Sequence, residues 1–121
     1  MKNKIWLLTM VFVLIMSAPF ASASTTLSGS LERYEPLPAQ PGQYVTVYIE
    51  LENIGSEDAP RAAIEIQDEF PFTVVGEGRK EIGVLKSQQS YVEDFRLRVD
   101  SSAVVGTNKL SIKYTTDTVS N

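Results

Sequence analysis

The stretch that decides the fold is Tyr44-Val-Thr-Val-Tyr-Ile-Glu-Leu-Glu-Asn-Ile-Gly55. Apolar and polar side chains alternate along it, and the aliphatic ones are Val45, Val47, Ile49 and Leu51. A period of two predicts a β-strand that buries one face in the core and leaves the other in solvent. Because the sequences on either side, Pro41-Gly42 and Asn53-Ile54-Gly55, are turn-forming, the strand is expected to span residues 44–52.

Further segments of the chain have the length and composition of short strands, and turn-forming residues separate them. They are residues 31–34, 61–68, 73–75, 81–85, 91–99 and 109–115. No helical periodicity follows the N-terminal segment, so the sequence predicts an all-β fold, an immunoglobulin-like β-sandwich of about seven strands. We expect the inward residues of the strands that begin at Tyr44 and Tyr91 to face each other across the core. The small, polar residues 24–30 are expected to form a flexible start.

Three local features make narrower predictions. Asn53 is expected to hydrogen-bond to nearby backbone, and Gly55 to adopt a positive φ. The sequence Phe70-Pro71-Phe72 predicts a bend with buried aromatic rings. Glu93 lies on the same face of its strand as Phe95, which interrupts the alternation. Either the strand begins after Glu93, or a bulge resets the register there.

The N-terminal segment has the three parts of a secretory signal peptide. Lys2 and Lys4 supply positive charge, residues 5–16 form an apolar run, and Ala21-Ser22-Ala23 is a small-x-small cleavage sequence. We expect cleavage after Ala23, with Ala21 and Ala23 as the two small residues of that site. A transmembrane anchor is the alternative, but a span needs about 20 apolar residues, which is longer than this run.

The expected domain organisation follows from this cleavage. Residues 1–23 form the signal peptide, and residues 24–121 form one domain. The protein is expected to be secreted or held at the cell surface. We expect it to meet the membrane only during export, or through a part not present in this sequence.

Charge and residue inventory exclude several classes of function. The formal net charge of −4 becomes −6 once Lys2 and Lys4 are removed, which argues against nucleic acid or anionic lipid as a partner. The chain has no His and no Cys. It therefore has no Ser-His or Cys-His nucleophile, no disulfide and no usual zinc ligand set. The sequence predicts no enzyme activity, no cofactor and no metal.

Adjacent carboxylates are the remaining possibility for chemistry. The pairs are Glu57-Asp58, Asp68-Glu69 and Glu93-Asp94. Neighbours on a strand point to opposite faces, so such a pair cannot share one substrate there. In a loop a pair could bind Ca²⁺, but none lies in a D-x-D-x-D-G pattern. Solvated turn and edge charges are the favoured interpretation.

The outward face of the first quoted strand supplies the candidate binding residues, Tyr44, Thr46 and Tyr48. An exposed aromatic pair is suited to contact with a carbohydrate or a protein. The alternative is that this face packs beside another element of the sheet.

The order of turns and core positions resembles a known group of domains. The elements are Pro41-Gly42, the alternating strand, Asn53-x-Gly55, Phe70-Pro71, Ile82-Gly83-Val84-Leu85, Phe95-x-Leu97-x-Val99-Asp100, Gly106 and Tyr114. This looks like the immunoglobulin-like domains of archaeal S-layer-related secreted proteins, and it is similar to the bacterial cell-adhesion-related domain, CARDB. The resemblance covers nearly all of residues 24–121. It rests on structural motifs, so it implies a fold more than a function.

The sequence departs from that group at two places. The turn at residues 86–90 lacks the Pro-Gly that members often have. Members also continue past the strand that ends in Tyr with a hairpin and a further strand, whereas this sequence ends at Asn121. It is therefore the first module of a longer protein, a truncated product, a sandwich whose open edge takes a partner strand, or a complete sandwich with a frayed tail.

The expected function is a non-catalytic structural or interaction module of the cell envelope or the extracellular space. Its expected partners are other envelope or surface proteins. The alternative is a strand-accepting or ligand-binding module in envelope assembly or adhesion. An enzyme that uses carboxylates is the third and least favoured reading.

Overall fold

A computed structural model of the chain describes residues 23–117. The described residues form seven strands: β1 (Leu27–Glu35), β2 (Tyr44–Asn53), β3 (Ala59–Ile66), β4 (Phe72–Val74), β5 (Arg79–Leu85), β6 (Ser90–Val99) and β7 (Ile112–Thr115). The prediction of an all-β fold of about seven strands is confirmed. Over residues 23–117 the structure has no helix of the length and apolar character needed to cross a membrane. The predicted signal peptide lies outside the described residues, apart from Ala23.

The strands form two antiparallel sheets that pack as a sandwich of the immunoglobulin-like kind. The first sheet has the order β1-β2-β6-β4, and the second has the order β5-β3-β7. β2 lies between β1 and β6 and is therefore a central strand of its sheet. The expectation that β2 and β6 face each other is wrong, because Val47 pairs with Phe95 within one sheet. Strands β3, β5 and β7 supply the opposing layer.

The core consists of the inward residues of four strands. It contains Val45, Val47, Ile49, Leu51, Ala59, Ala62, Ile64, Ile66, Leu85, Phe95, Leu97 and Val99. Each fully buried Val, Leu, Ile or Phe stabilises the fold by about 1.5–3 kcal/mol relative to an exposed one. The alternation in the two longest strands, β2 and β6, therefore positions most of the core.

Glu93 lies within an unbroken strand. β6 begins at Ser90, and its register with β2 continues without a shift, so neither a late start nor a bulge is present. The carboxylate is instead neutralised by Lys80 of the opposite sheet, whose Nζ lies 3.5 Å from Glu93 Oε2. The same Nζ lies 5.1 Å from the centre of the Phe95 ring. An ion pair therefore closes this end of the core.

Residues 24–30 are ordered, contrary to the expectation of a flexible start. β1 begins at Leu27, and the residues before it bond to the loop after β2. Ile54 N donates to Thr26 O at 2.9 Å, and Ser56 N donates to Ser24 O at 2.9 Å. These bonds hold the residues before β1 against the loop that follows β2.

Gly55 has a different role from the one expected. Positive φ values occur at other glycines, such as Gly42 and Gly76, but not at Gly55. A Cβ at Gly55 would lie 2.6 Å from Thr26 N, so glycine is needed for close backbone approach. The predicted bond from Asn53 is present, because its Oδ1 accepts from Gly55 N at 3.0 Å.

The bend before β4 buries its proline rather than all of its rings. Pro71 is buried and Phe72 is half-buried, but Phe70 is 66% exposed, so the expectation of buried aromatics fails for Phe70. Phe70 lies in the turn that the hydrogen bond from Phe72 N to Glu69 O closes at 2.8 Å, so it belongs to no strand and its ring lies in solvent.

Candidate functional site

The free edge of β7 is the first candidate site. β7 is the last strand of its sheet and pairs only with β3 among residues 23–117. Gln67 N donates to Ser111 O at 3.0 Å, which fixes the phase of the antiparallel ladder. In that phase, Ile112 and Tyr114 direct their N–H and C=O groups away from β3. The edge therefore presents two donors and two acceptors to an added strand.

An apolar cleft lies beside this edge, between β1 and the segment that enters β7. Its volume is about 500 Å³. Leu31 and Tyr34 of β1 form one wall, and Leu110 lies on the other. The cleft lining includes apolar side chains that are strongly exposed to solvent, because Leu31 is 49%, Val104 77% and Val105 86% exposed. The cleft can accept apolar side chains that would otherwise lie in water.

The cleft is closed at one end by direct contact between β1 and β7. A Cβ on Gly29 would lie 2.9 Å from Tyr114 Cδ1 and 3.0 Å from Ile112 Cδ1. Gly29 thus allows the two inward side chains of β7 to reach β1. Beyond this contact, the cleft opens towards Leu110.

The other edge strands carry features that discourage strand addition. The register of β1 shifts between Leu31 and Arg33. β4 is three residues long and follows Pro71, and β5 contains Gly83 at a positive φ with an irregular register. Short strands, bulges and prolines protect sheet edges from pairing. β7 pairs in unbroken register over its length, and the segment that enters it reaches the apolar cleft at Leu110. The edge strands β1 and β4 also line this cleft, through Leu31, Tyr34 and Phe72.

The wall of the cleft is joined to β6 by a turn that Asp100 organises. Asp100 Oδ1 accepts from Ser102 N at 2.8 Å, and also from the Ser102 hydroxyl. The hydroxyl, the backbone N–H and then the charge of Arg98 lower the pKa of the Asp100 carboxyl below its usual value. After this turn, residues 103–108 and Leu110 line the cleft.

The predicted binding residues Tyr44, Thr46 and Tyr48 lie together on the outer face of the first sheet. Tyr44 is 48% exposed, whereas Thr46 and Tyr48 are half-buried. Arginines cover both rings, with Arg96 Cζ 4.7 Å from the Tyr44 ring centre and Arg33 Cζ 3.7 Å from that of Tyr48. These are cation–π distances.

The arginines of this face were not connected to the tyrosines by sequence reasoning. Alternation in residues 91–99 places Arg96 and Arg98 on the face opposite Phe95, but it does not indicate which strand lies beside β6. The register pairs Tyr44 with Arg98 and Thr46 with Arg96. Antiparallel pairing of the two longest amphipathic strands is the signal that would have found this cluster.

Two of the carboxylate pairs, Glu57-Asp58 and Asp68-Glu69, serve the local structure of loops, whereas Glu93 and Asp94 lie on β6 beside Lys80. Asp58 Oδ1 accepts from Ser87 N at 2.9 Å, and Asp68 Oδ1 accepts from Val74 N at 2.7 Å. Glu69 Oε2 accepts from the Ser111 hydroxyl at 2.6 Å. In the part of the chain that the structure describes, no three metal-ligating side chains converge.

No protein-family model and no curated protein matches this chain. The two-sheet sandwich is shown by the structure itself. The resemblance to CARDB and to S-layer-related domains stays a prediction, and so do the export and surface location that the N-terminal segment indicates.

Proposed function

We propose that this protein is a non-catalytic interaction module of the cell envelope or surface, and that it binds partner proteins by accepting an extended segment at the β7 edge. The observation that supports this most directly concerns the backbone N–H and C=O groups of Ile112 and Tyr114, which no strand in residues 23–117 pairs with. They lie just beyond Leu110, which lines the apolar cleft. In strand addition, main-chain hydrogen bonds give affinity, and pockets for alternate side chains give specificity.

The geometry defines what the added segment must contain. Every second side chain of a strand beside β7 points towards the interior of the sandwich. Near Leu110, such side chains enter the cleft. The segment is therefore an extended one with apolar residues at alternate positions and no proline where its N–H must reach β7. Each apolar side chain that becomes fully buried contributes about 1.5–3 kcal/mol before the costs of association.

A structural spacer is the second candidate function. The resemblance to S-layer-related immunoglobulin-like domains supports it, because such modules separate or connect parts of surface proteins. A spacer needs no partner strand, so the two candidates differ in their response to added peptide.

Peptide binding tests the proposal. Extended peptides with alternating apolar residues are titrated into the purified protein, with fluorescence anisotropy and thermal unfolding as readouts. We expect saturable binding and a rise in Tm with peptide concentration. The same peptide, N-methylated on the residues that face β7, should bind far more weakly because it lacks the donors.

Two leucines provide a matched pair of variants. Leu31→Asp places a charge in the cleft wall and should abolish binding, whereas Leu37→Asp changes a residue that is 70% exposed and does not line the cleft. Circular dichroism checks that both variants fold. A folded, monomeric protein that is indifferent to all such peptides would overturn strand acceptance and leave the spacer function.

A further inference from the structure

The residues before β1 lie at the end of the sandwich opposite the cleft. Leu27 pairs with Asn53 at the end of β2, whereas the cleft is lined by Val45 and Val47 near the beginning of β2. The loop of residues 54–58, which we call the entry loop, is hydrogen-bonded to the residues before β1. This part of the surface is therefore separate from the β7 edge.

Ser24 is bonded to the entry loop through both of its polar backbone atoms. Its carbonyl oxygen accepts from Ser56 N at 2.9 Å and from Glu57 N at 3.3 Å. Its nitrogen donates to Ser56 Oγ at 3.1 Å. A Cβ on Gly55 would collide with Ser24 O, so the loop approaches this closely only because residue 55 is glycine. The position of the Ser24 nitrogen is therefore set by the loop.

The predicted cleavage site ends directly before Ser24. The small residues Ala21 and Ala23 direct the cut to the bond between Ala23 and Ser24. Hydrolysis of that bond adds one water molecule and leaves a carboxylate on Ala23 and an ammonium group on Ser24. An α-amino group ordinarily has a pKa of about 7.7–8.0, so it is charged at neutral pH. Cleavage therefore puts a positive charge on the atom that donates to Ser56 Oγ.

The charged residues of the surrounding elements favour an ammonium group at this position. The entry loop carries Glu57 and Asp58, and Glu52 lies near the end of β2. The loop after β5, which bonds to the entry loop, supplies Lys86, and residues 24–30 have no charged side chain. Three carboxylates and one lysine leave a local excess of negative charge, which attracts an ammonium group. A hydrogen bond from a charged donor is also stronger than one from a neutral amide.

We propose that the entry loop is a binding site for the α-ammonium group of Ser24, and that cleavage after Ala23 thereby stabilises the folded domain. A chain that retains the residues before Ser24 has a neutral amide at this position. It keeps the bond to Ser56 Oγ but lacks the attraction between the ammonium group and the carboxylates. The proposal depends on the predicted cleavage and does not depend on strand addition at β7.

Thermal unfolding of two forms of the protein, one that begins at Ser24 and one that begins at Ala21, tests this proposal. At pH 6.5 and low salt we expect the Tm of the Ser24 form to be higher by about 2–5 °C. The ammonium group is stabilised by folding, so its pKa is expected to be higher in the folded state than in the unfolded chain. The Tm difference should then be complete below about pH 7.7 and disappear as the pH rises through the pKa of the folded form. An NMR titration of Ser24 measures that pKa directly.

Variants made in both forms locate the binding site. Ser56→Ala removes the acceptor, and Glu57→Gln/Asp58→Asn removes two charges while keeping the hydrogen-bonding oxygens, so each should reduce the Tm difference between the two forms. Ser30→Ala is the matched control, because Ser30 is an exposed serine of β1, and it should leave the difference unchanged. Equal Tm values for the two forms at pH 6.5, or a difference that persists at pH 10, would overturn the proposal. Peptide binding at β7 is measured separately, so either proposal can fail without the other.

Discussion

Asn53 joins the two sheets through a side chain that is completely buried. Its Nδ2 donates to Glu57 O at 2.8 Å and to Leu85 O at 3.0 Å, while its Oδ1 accepts from Gly55 N. Leu85 ends β5 of the second sheet, so a single amide connects the ends of β2 and β5. The site requires a side chain that donates two hydrogen bonds from one atom and accepts one at the other. An amide meets this requirement, whereas a carboxylate does not.

Asn53→Asp should therefore be strongly destabilising. The substitution directs a carboxylate oxygen at two carbonyl oxygens and buries a charge without a partner. We expect the free energy of unfolding to fall by about 3 kcal/mol or more, measured by urea denaturation. Asn108→Asp is the control, because Asn108 also donates to carbonyls, those of Val104 and Gly106, but is exposed. A similar loss in both variants would contradict the role assigned to Asn53.

At the scale of elements, the sequence predicts which face of a strand is buried better than it predicts which strands pair with each other. The alternation in β2 and β6 correctly identified the buried side chains, because the side-chain period of a strand is a local property. Whether β6 lies beside β2 or across from it depends on contacts distant in sequence. Glu93 shows the same limit, since its inward position is tolerated only because Lys80 arrives from the other sheet. The arginines above Tyr44 and Tyr48 were missed for this reason.

The entry segment before β1 depends on one glycine in the loop after β2. Gly55→Ala places a methyl group against the backbone of residues 24–26, so the bonds of Ile54 and Ser56 to that segment should break. We expect a loss of about 1–3 kcal/mol in the free energy of unfolding and faster hydrogen exchange at the Ile54 and Ser56 amides.

Gly76→Ala separates this effect from ordinary loss of a glycine. Gly76 has a φ of +87° and nothing within 4 Å of an added Cβ. Its substitution should cost about 1 kcal/mol through backbone strain alone, without faster exchange at Ile54 and Ser56. Unchanged protection in Gly55→Ala would show that the entry segment is not held by this contact.

At the scale of the whole molecule, one core supports both the apolar cleft and the outer face of the first sheet. β2 contributes inward side chains to that core and the outward side chains of Tyr44, Thr46 and Tyr48 to the outer face, and its Val45 and Val47 also line the cleft. Because the described sheets share this core, they are expected to unfold together.

Val47→Asp tests whether the two sheets unfold together. Val47 is buried, and an unpaired carboxylate at its position should prevent folding of the whole domain, seen as loss of the cooperative thermal transition. Val92→Asp makes the same change on the outer face of β6, where Val92 is 41% exposed, and should remain folded. A folded Val47→Asp protein would overturn the placement of β2 in the core.

The contact at Gly29 makes the two ends of the β7 edge different. Because β1 and β7 touch at Gly29 and separate towards Leu110, an incoming chain meets an opening at one end and a closed seam at the other. Under the proposed strand addition, docking begins at the mouth near Leu110 and advances residue by residue, each step separating Ile112 and then Tyr114 from β1. The first side chain to enter then governs the rate of capture, and those that follow govern how long the partner stays.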